Sequence, residues 1–350
     1  MVDFAFRTQA VITPSATETL PTVTYIFRKR LPNVFSIEKI YDTLVAEYRR
    51  SGAPVRTLEL PYTSTGLVSV FRNAWFAARR IGRGYVHITG DVHYAALFRP
   101  LTKTVITVQD CVIMQRGTGF KRFVLWLLWF WLPTRTAAAI TVSTAQIKDE
   151  VLKTVKISPH KIAIIPHFVD PAFVGIDRPF AAHRPRILQV GTTANKNLPR
   201  VIAALRGMSC ELVIIGPLAD DHRRQLVQHD IRYENFVGIN HAAMLELYAS
   251  ADIISFPSTY EGFGMPIIEG QAVGRPILTS DLEPMRSVAG ADGAMLVDPQ
   301  SVQSIRDGFA ALIADGALRA RLVAAGKTNS NRFTLEAVSA SYSALYRRLG

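Results

Sequence analysis

Two carboxylates with seven residues between them, Glu261 and Glu269, enclose the step Gly262-Phe263-Gly264. The apolar run Ile253-Ile254-Ser255-Phe256 before them reads as a buried strand. Pro257 to Gly264 reads as a loop, and Pro266 suits the first turn of a helix that carries Glu269. Strand, glycine loop and helix start form an anion site, because free backbone N–H groups and the positive end of the helix dipole face one point. A carboxylate beside a phosphate is costly unless it receives hydroxyl donors. The pattern therefore predicts a phosphorylated ligand with sugar hydroxyls, Glu261 facing a sugar and Glu269 facing a ribose.

Gly191-Thr192-Thr193-Ala194-Asn195-Lys196-Asn197 follows the strand predicted at Arg186–Val190. Gly191 and Thr192 allow close backbone approach to a ligand, and Lys196 supplies a mobile cation. The alternative is a solvated lysine at a helix start, where positive charge is slightly unfavourable. In the first half, His93, Gln109 and Asp110 stand at predicted strand ends. His93 and Asp110 are candidates to orient a hydroxyl; a core histidine bonded to a carbonyl is the competing reading of His93. There is no Asp-x-Asp, no His/Cys cluster with metal spacing, no Walker lysine loop and no complete GxGxxG, since Ile267 fills the sixth place. No metal or other cofactor is expected.

The elements that must position these residues alternate. Strands are predicted at 22–28, 55–60, 85–88, 103–108, 138–141 and 162–165, with helices at 36–51, 66–80 and 143–155. Ser36 and Ser143 are the candidate N-caps. After a proline-rich linker, strands follow at 186–190, 211–215, 235–237, 252–256, 276–279 and 294–297. Helices are expected at 197–207 and at 240–249, the second capped by Asn240, and a terminal helix at 335–349. Such alternation implies α/β architecture with parallel sheets and right-handed crossovers. The expected division is a loose lead-in at 1–21, a first Rossmann-like domain at 22–170, a linker at 171–185, a second domain at 186–330 and a C-terminal segment at 331–350 that packs back on the first. Two such domains place a ligand in the cleft outside the strand ends.

Composition adds a partner. The net charge of the 350 residues is +12. Residues 1–170 hold 22 Lys/Arg and 11 Asp/Glu, and the remainder 18 and 17, so one half carries nearly all the positive field. That half should meet an anionic surface such as a membrane. Its most apolar stretch, Phe120–Pro133, has Trp126, Trp129 and Trp131, and Lys121, Arg122 and Arg135 flank its uninterrupted run, Phe123–Pro133. The stretch is too short to span a bilayer. It is either an interfacial anchor or a helix buried beneath the first sheet, and both hold if one side is exposed. Two cysteines in opposite halves, Cys111 and Cys210, suggest no disulfide framework, and a reducing cytoplasm is expected. No secretory signal is read at the N-terminus, and no nucleic-acid partner is expected.

The string from Ser255 to Gly274 resembles the Glu-x7-Glu donor-site signature of the retaining glycosyltransferases of family 4, which have the GT-B fold, two Rossmann-like domains facing a central cleft. The resemblance covers about residues 22–350 and is strongest at 186–299. It implies sugar transfer with retention from a nucleotide sugar, bound by Gly191, Thr192, Lys196, Gly238, Glu261, Gly262, Phe263, Gly264 and Glu269. Lys196 would offset the leaving diphosphate's growing charge without metal, and the backbone around Gly238 would read the base. The stretches 87–98 and 104–111 resemble a subgroup acting on bacterial surface polysaccharides. A glycan or lipid-linked glycan acceptor at the cytoplasmic face of the inner membrane follows, with mannosyl among the candidate sugars. The catalytic set implied is Glu261, Lys196, Asp110, Gln109 and His93. Two departures matter. Asn195 stands where the family has an arginine beside the lysine, and Gln109 stands where it has a histidine. Glutamine can donate a hydrogen bond but cannot take a proton. A catalytically silent sugar-nucleotide-binding protein and a nucleotide-sugar epimerase are the competing functions.

Overall fold

The computed structural model describes residues 21–30, 36–81, 84–97, 103–115 and 118–349. The expected lead-in, except Pro21, and Phe98 lie outside the described residues.

Two six-stranded parallel sheets face each other. The first contains β1 (Val23–Phe27), β2 (Val55–Glu59), β3 (Tyr85–Ile88), β4 (Thr104–Val108), β5 (Ala139–Val142) and β6 (Ile162–Ile164), in the order β2-β1-β3-β4-β5-β6. The second contains β7 (Arg186–Val190), β8 (Glu211–Ile215), β9 (Tyr233–Phe236), β10 (Ile253–Phe256), β11 (Ile277–Ser280) and β12 (Met295–Val297), in the order β12-β11-β10-β7-β8-β9. Central strands such as β1, β4 and β10 are buried on both faces, so they lack the alternation of a half-exposed strand, and their polar residues Thr24, Thr104, Thr107 and Ser255 are buried with the rest. In each sheet the chain order reverses once beside the first strand: between β1 and β3, and between β7 and β10. Helices then diverge to opposite faces, which leaves a crevice outside the strand ends.

The first sheet is covered differently on its two faces. Helix α1 (Ser36–Arg50) and the terminal helix Leu335–Arg348 cover one face, sharing a core with Tyr25, Tyr41 and Val105. Helix α2 (Leu67–Arg80), the turn His93–Ala96 and helix α3 (Gly119–Leu125) with its continuation to Thr136 cover the other. The continuation passes through π-helical turns at Trp126–Trp131. Leu128, Trp129 and Phe130 are buried there, whereas Phe120 and Phe123 are exposed. The buried-helix reading of the tryptophan-rich stretch thus holds for residues 128–130.

Three local expectations change. Thr144, not Ser143, caps the helix Ala145–Thr154, its hydroxyl accepting from the Ile147 N–H. Asn197 does not start a helix: it sits in the left-handed region (φ 63) and the helix begins at Leu198. Asn tolerates that conformation because its short amide bonds locally; here it donates to the Pro257 and Pro299 carbonyls. The stretch after β12, for which the sequence pattern names no element, forms the helices Val302–Ala314 and Gly316–Ser330. Asn240 does cap its helix, His241–Ser250, by accepting from the Ala243 N–H.

Candidate active site

The crevice of the second sheet sits where its order reverses. Lys196 follows β7 and Glu261 follows β10, and these strands are neighbours in register, Ile254 beside Leu188 and Ser255 beside Gln189. The Ser255 hydroxyl donates to Gln189, whose amide donates to the Lys196 carbonyl (2.8 and 2.9 Å). The strand pair thus fixes the lysine's backbone from beneath. The Lys196 side chain lies over Gly191, and its ammonium stands 4.6 Å from the centre of the Phe256 ring.

Lys196 Nζ donates to Glu261 Oε1 at 2.6 Å. Asn195 Nδ2 donates to the same oxygen at 3.2 Å and to the Tyr260 carbonyl at 3.0 Å. Asn195 therefore orients the glutamate and its loop. These contacts give the departure from the expected basic pair a structural role.

Gly264 (φ 107) precedes the helix Met265–Ala272 and turns the chain into it. A side chain there would be strained, because the left-handed region brings Cβ against the backbone. Glu269, one turn inside, accepts from the Tyr248 hydroxyl at 2.5 Å. Desolvation pushes its carboxyl up to about 7, only partly countered by the Tyr248 hydroxyl and the positive charge of Lys39.

These groups line one cavity of about 510 Å³. Glu261, Gly262, Phe263, Gly264, Lys196 and Glu269 form its second-sheet wall, and Gln109 reaches it from the first. The sequence reading missed Lys39, His167, Asp170 and His241, which also line it. Lys39 Nζ donates to Asp170 (3.0 Å) and to His241 Nδ1 (2.8 Å), while His241 Nε2 faces Asp170 at 3.1 Å. Burial lowers the His167 pKa to about 4, so its imidazole is neutral. No spacing signal links residues 39, 167, 170 and 241; only the closure of the two sheets assembles them.

Other expected donor residues stand outside this cavity. Gly191 and Thr192 lie behind Lys196, and the Thr192 hydroxyl donates to the Pro217 carbonyl at 2.6 Å. Gly238 follows β9, the edge strand, and does not line the cavity.

The first sheet meets the glycine loop directly. The Ser143 and Thr144 hydroxyls both donate to the Gly262 carbonyl at 3.3 Å. A Cβ on Gly262 would stand 3.0 Å from the Gln109 carbonyl oxygen, so glycine permits the approach. Asp110 and Glu261 line one groove of about 470 Å³, and the Asp110 carboxylate accepts from the Val112 N–H. Gln109 borders both the large cavity and a recess of about 140 Å³ formed with Arg28, Asp91 and Asp110. Its Nε2 is buried without a hydrogen-bond partner among the described residues, a costly state that a ligand acceptor would relieve.

His93 corrects the sequence reading. It borders the recess but is 4% exposed, with Nδ1 2.8 Å from the Trp129 carbonyl and Nε2 3.1 Å from the Thr107 carbonyl. Burial lowers its pKa, and the neutral ring has one N–H, which donates to one of these two backbone carbonyls. It is a core histidine and cannot orient a substrate hydroxyl without leaving these contacts.

Among the described residues no group of three His, Cys, Asp or Glu side chains is arranged to hold a metal ion. No helix there is long and apolar enough to cross a membrane.

Comparison with known proteins gives the arrangement a family context. Residues 177–329 match the family described as glycosyl transferases group 1. The chain is 28% identical over 179 residues to an MMP alpha-(1->4)-mannosyltransferase of Mycolicibacterium hassiacum, covering 47% of this chain and 43% of that protein. It is 29% identical over 163 residues to O-antigen chain mannosyltransferase B of Escherichia coli, covering 43% and 42%. The chain spans less than half the length of these curated relatives. Sucrose-phosphate synthase from Thermosynechococcus elongatus has the same fold (TM-score 0.74, 17% identity, covering 94% of this chain and 98% of that one). So does Anabaena HepE, solved with UDP-glucose (TM-score 0.72, 12% identity, 94% and 100%). The fold is GT-B, two α/β sheets across a cleft.

Proposed function

From the match of residues 177–329 to the family described as glycosyl transferases group 1, we propose an enzyme that transfers a sugar, with retention and without metal, from a nucleotide sugar to a glycan or lipid-linked glycan. One observation carries the reading: Lys196, Glu261 and Glu269 surround one cavity at the start of the helix Met265–Ala272. In it, the diphosphate sits at the helix start and draws Lys196 away from Glu261. Glu261 then receives hydroxyls of the sugar, and Glu269 those of the ribose. As the glycosidic bond breaks, charge grows on the leaving diphosphate and Lys196 stabilises it. A fixed cation aimed at developing charge contributes several kcal/mol, on the order of 3.

Gln109 cannot accept a proton, so the leaving phosphate takes the acceptor's proton on the same face of the sugar. Its orphaned amide donates to a sugar hydroxyl, and Asp110 orients the acceptor. The mannosyl group is the leading candidate, supported by the two mannosyltransferase relatives. Surface polysaccharide assembly at the cytoplasmic face of a membrane is the setting, supported by the O-antigen relative and the basic first half.

Gln109 also supports a second reading, a sugar-nucleotide-binding protein without turnover. Calorimetric titration with UDP, GDP, ADP and dTDP, with and without EDTA, tests the donor site. One tight partner unaffected by EDTA is expected, and product analysis with the matching sugar nucleotides then separates transfer from binding alone. Absence of binding to all four would overturn the donor-site assignment.

A further inference from the structure

Three histidines among the described residues are shielded enough for burial to lower their pKa: His87, His93 and His167. Two of them face protein partners. His87 bonds Tyr346 and Thr107, and His93 stands against the Trp129 and Thr107 carbonyls. His167 differs. Neither of its ring nitrogens has a hydrogen-bond partner among the described residues, and burial is the whole cause of its lowered pKa. A shielded polar group without a partner is costly. His167 lines the large cavity, so an occupant of that cavity can supply the partner.

The chain holds the ring in place. His167 follows β6, in the segment that crosses from the first sheet to the second. On one side of it the Ile165 N–H donates to the Val142 carbonyl at 2.9 Å; on the other the Val169 N–H donates to the Phe333 carbonyl at 2.8 Å. Phe168 and Val169 are buried. The imidazole meets the Phe263 ring edge to face, with centres 5.0 Å apart and planes at 74°, and Phe263 meets Phe333 in the same way at 5.8 Å. Aromatic contacts of this kind favour one tilt of the ring. A group already ordered in the free protein loses little freedom when a ligand arrives.

Position and charge select the ligand group. Phe263 immediately precedes Gly264, where the chain turns into the helix Met265–Ala272. The imidazole therefore stands against the loop that leads into the helix start, where backbone N–H groups attract an anion. The carboxylates that line the cavity are already engaged: Glu261 by Lys196, Asp170 by Lys39 and Glu269 by Tyr248. A neutral imidazole offers one N–H, and the oxygens of an ionised phosphate are acceptors only.

We propose that His167 contacts the occupant of the cavity, its N–H donating to a phosphate oxygen of a bound nucleoside diphosphate. The contact rests on the nucleotide-sugar reading above. It adds to that reading a donor from the segment joining the two lobes, opposite in origin to Lys196 of the second sheet.

NMR of the imidazole nitrogens in isotope-labelled protein tests it, with the His167 signals identified by their loss in His167→Asn. Whichever of UDP, GDP, ADP and dTDP binds should move the N–H signal of His167, and its nucleoside should not. His167→Leu should weaken diphosphate binding about tenfold, the worth of one hydrogen bond to a charged group, and leave nucleoside binding unchanged. His167→Asn and His167→Gln set an amide N–H near the places of Nδ1 and Nε2, and one of them should restore most of the affinity. Loss of packing against Phe263 would not allow that rescue. Signals that stay still while calorimetry shows the diphosphate bound would overturn the inference and leave the proposed function. So would movement with the nucleoside alone, which would put the ring at the ribose or base, unchanged affinity in the leucine variant, or failure of both amides. If none of the four diphosphates binds, the donor-site reading falls and this contact falls with it.

Discussion

Each lobe has a dense set of polar side chains at its strand ends or beneath a helix, and two of these sets are built to opposite ends. In the first lobe Tyr25, Tyr41, His87, Thr107, Tyr342 and Tyr346 bond to one another beneath the terminal helix. Tyr346 bonds Tyr25 at 2.8 Å and His87 Nδ1 at 2.6 Å; His87 Nε2 bonds Thr107, which also receives the Tyr41 hydroxyl. All are buried, and burial lowers the His87 pKa to about 3. In the second lobe Lys196, Glu261, Glu269 and Tyr248 make equally short bonds, but the first three line a cavity. Perturbed titration and short hydrogen bonds therefore do not mark a site by themselves. Access from a cavity separates chemistry from anchoring, and the first network fastens the last helix of the chain to its first strands.

Lys196→Ala should give the largest effect. Loss of a cation from the leaving-group position should lower turnover on the order of a hundredfold to a thousandfold, with thermal stability near that of the parent. Initial rates with the cognate sugar nucleotide check it; retained activity would place the working cation elsewhere in the cleft.

Tyr346→Phe addresses the other network. It leaves Tyr25 and His87 without their shared partner and should cost about 1–3 kcal/mol in denaturant unfolding, with nucleotide affinity unchanged. A loss of affinity instead would join the anchoring network to the site and break the comparison.

Glu269→Gln should lower nucleotide affinity about tenfold, the worth of one charge-assisted bond. The sign with pH follows from its raised pKa of about 7. With ribose hydroxyls donating to the carboxylate, as proposed above, binding should favour the ionised form and release a proton. Affinity should therefore rise from about pH 6 to about pH 8 and level off above, and Glu269→Gln should flatten that rise. Calorimetry across this range reads it directly, and an unchanged slope in the variant would assign the titration to another group.

Gln109→Ala should be the mildest change, a few-fold loss of turnover by removal of one neutral hydrogen bond, worth about 1 kcal/mol, and no change in the pH profile. An altered profile would show that proton transfer runs through this position.

Legibility differs in the same way between the lobes. The strand–glycine loop–helix string of the second lobe is contiguous in sequence, so Glu261, Gly262, Phe263, Gly264 and Glu269 could be read and placed on one wall. Lys196 could be paired with them because strand ends in a parallel sheet share an edge. His93 was misplaced because position at a strand end does not say which way a ring points; the Trp129 and Thr107 carbonyls capture it. Lys39, His167, Asp170 and His241 had no pattern, being distant in sequence and brought together only when the sheets close.

What the sequence determined by itself is what local and periodic forces control: alternating elements, the buried parallel strands, the asymmetric charge and the strand–glycine loop–helix string. Tertiary structure decided which polar groups face the cavity and which are sealed, that Asn195 holds Glu261, and that desolvation raises Glu269. These depend on desolvation and on contacts between residues as far apart as Tyr25 and Tyr346, and neither is encoded in the spacing of neighbours along the chain.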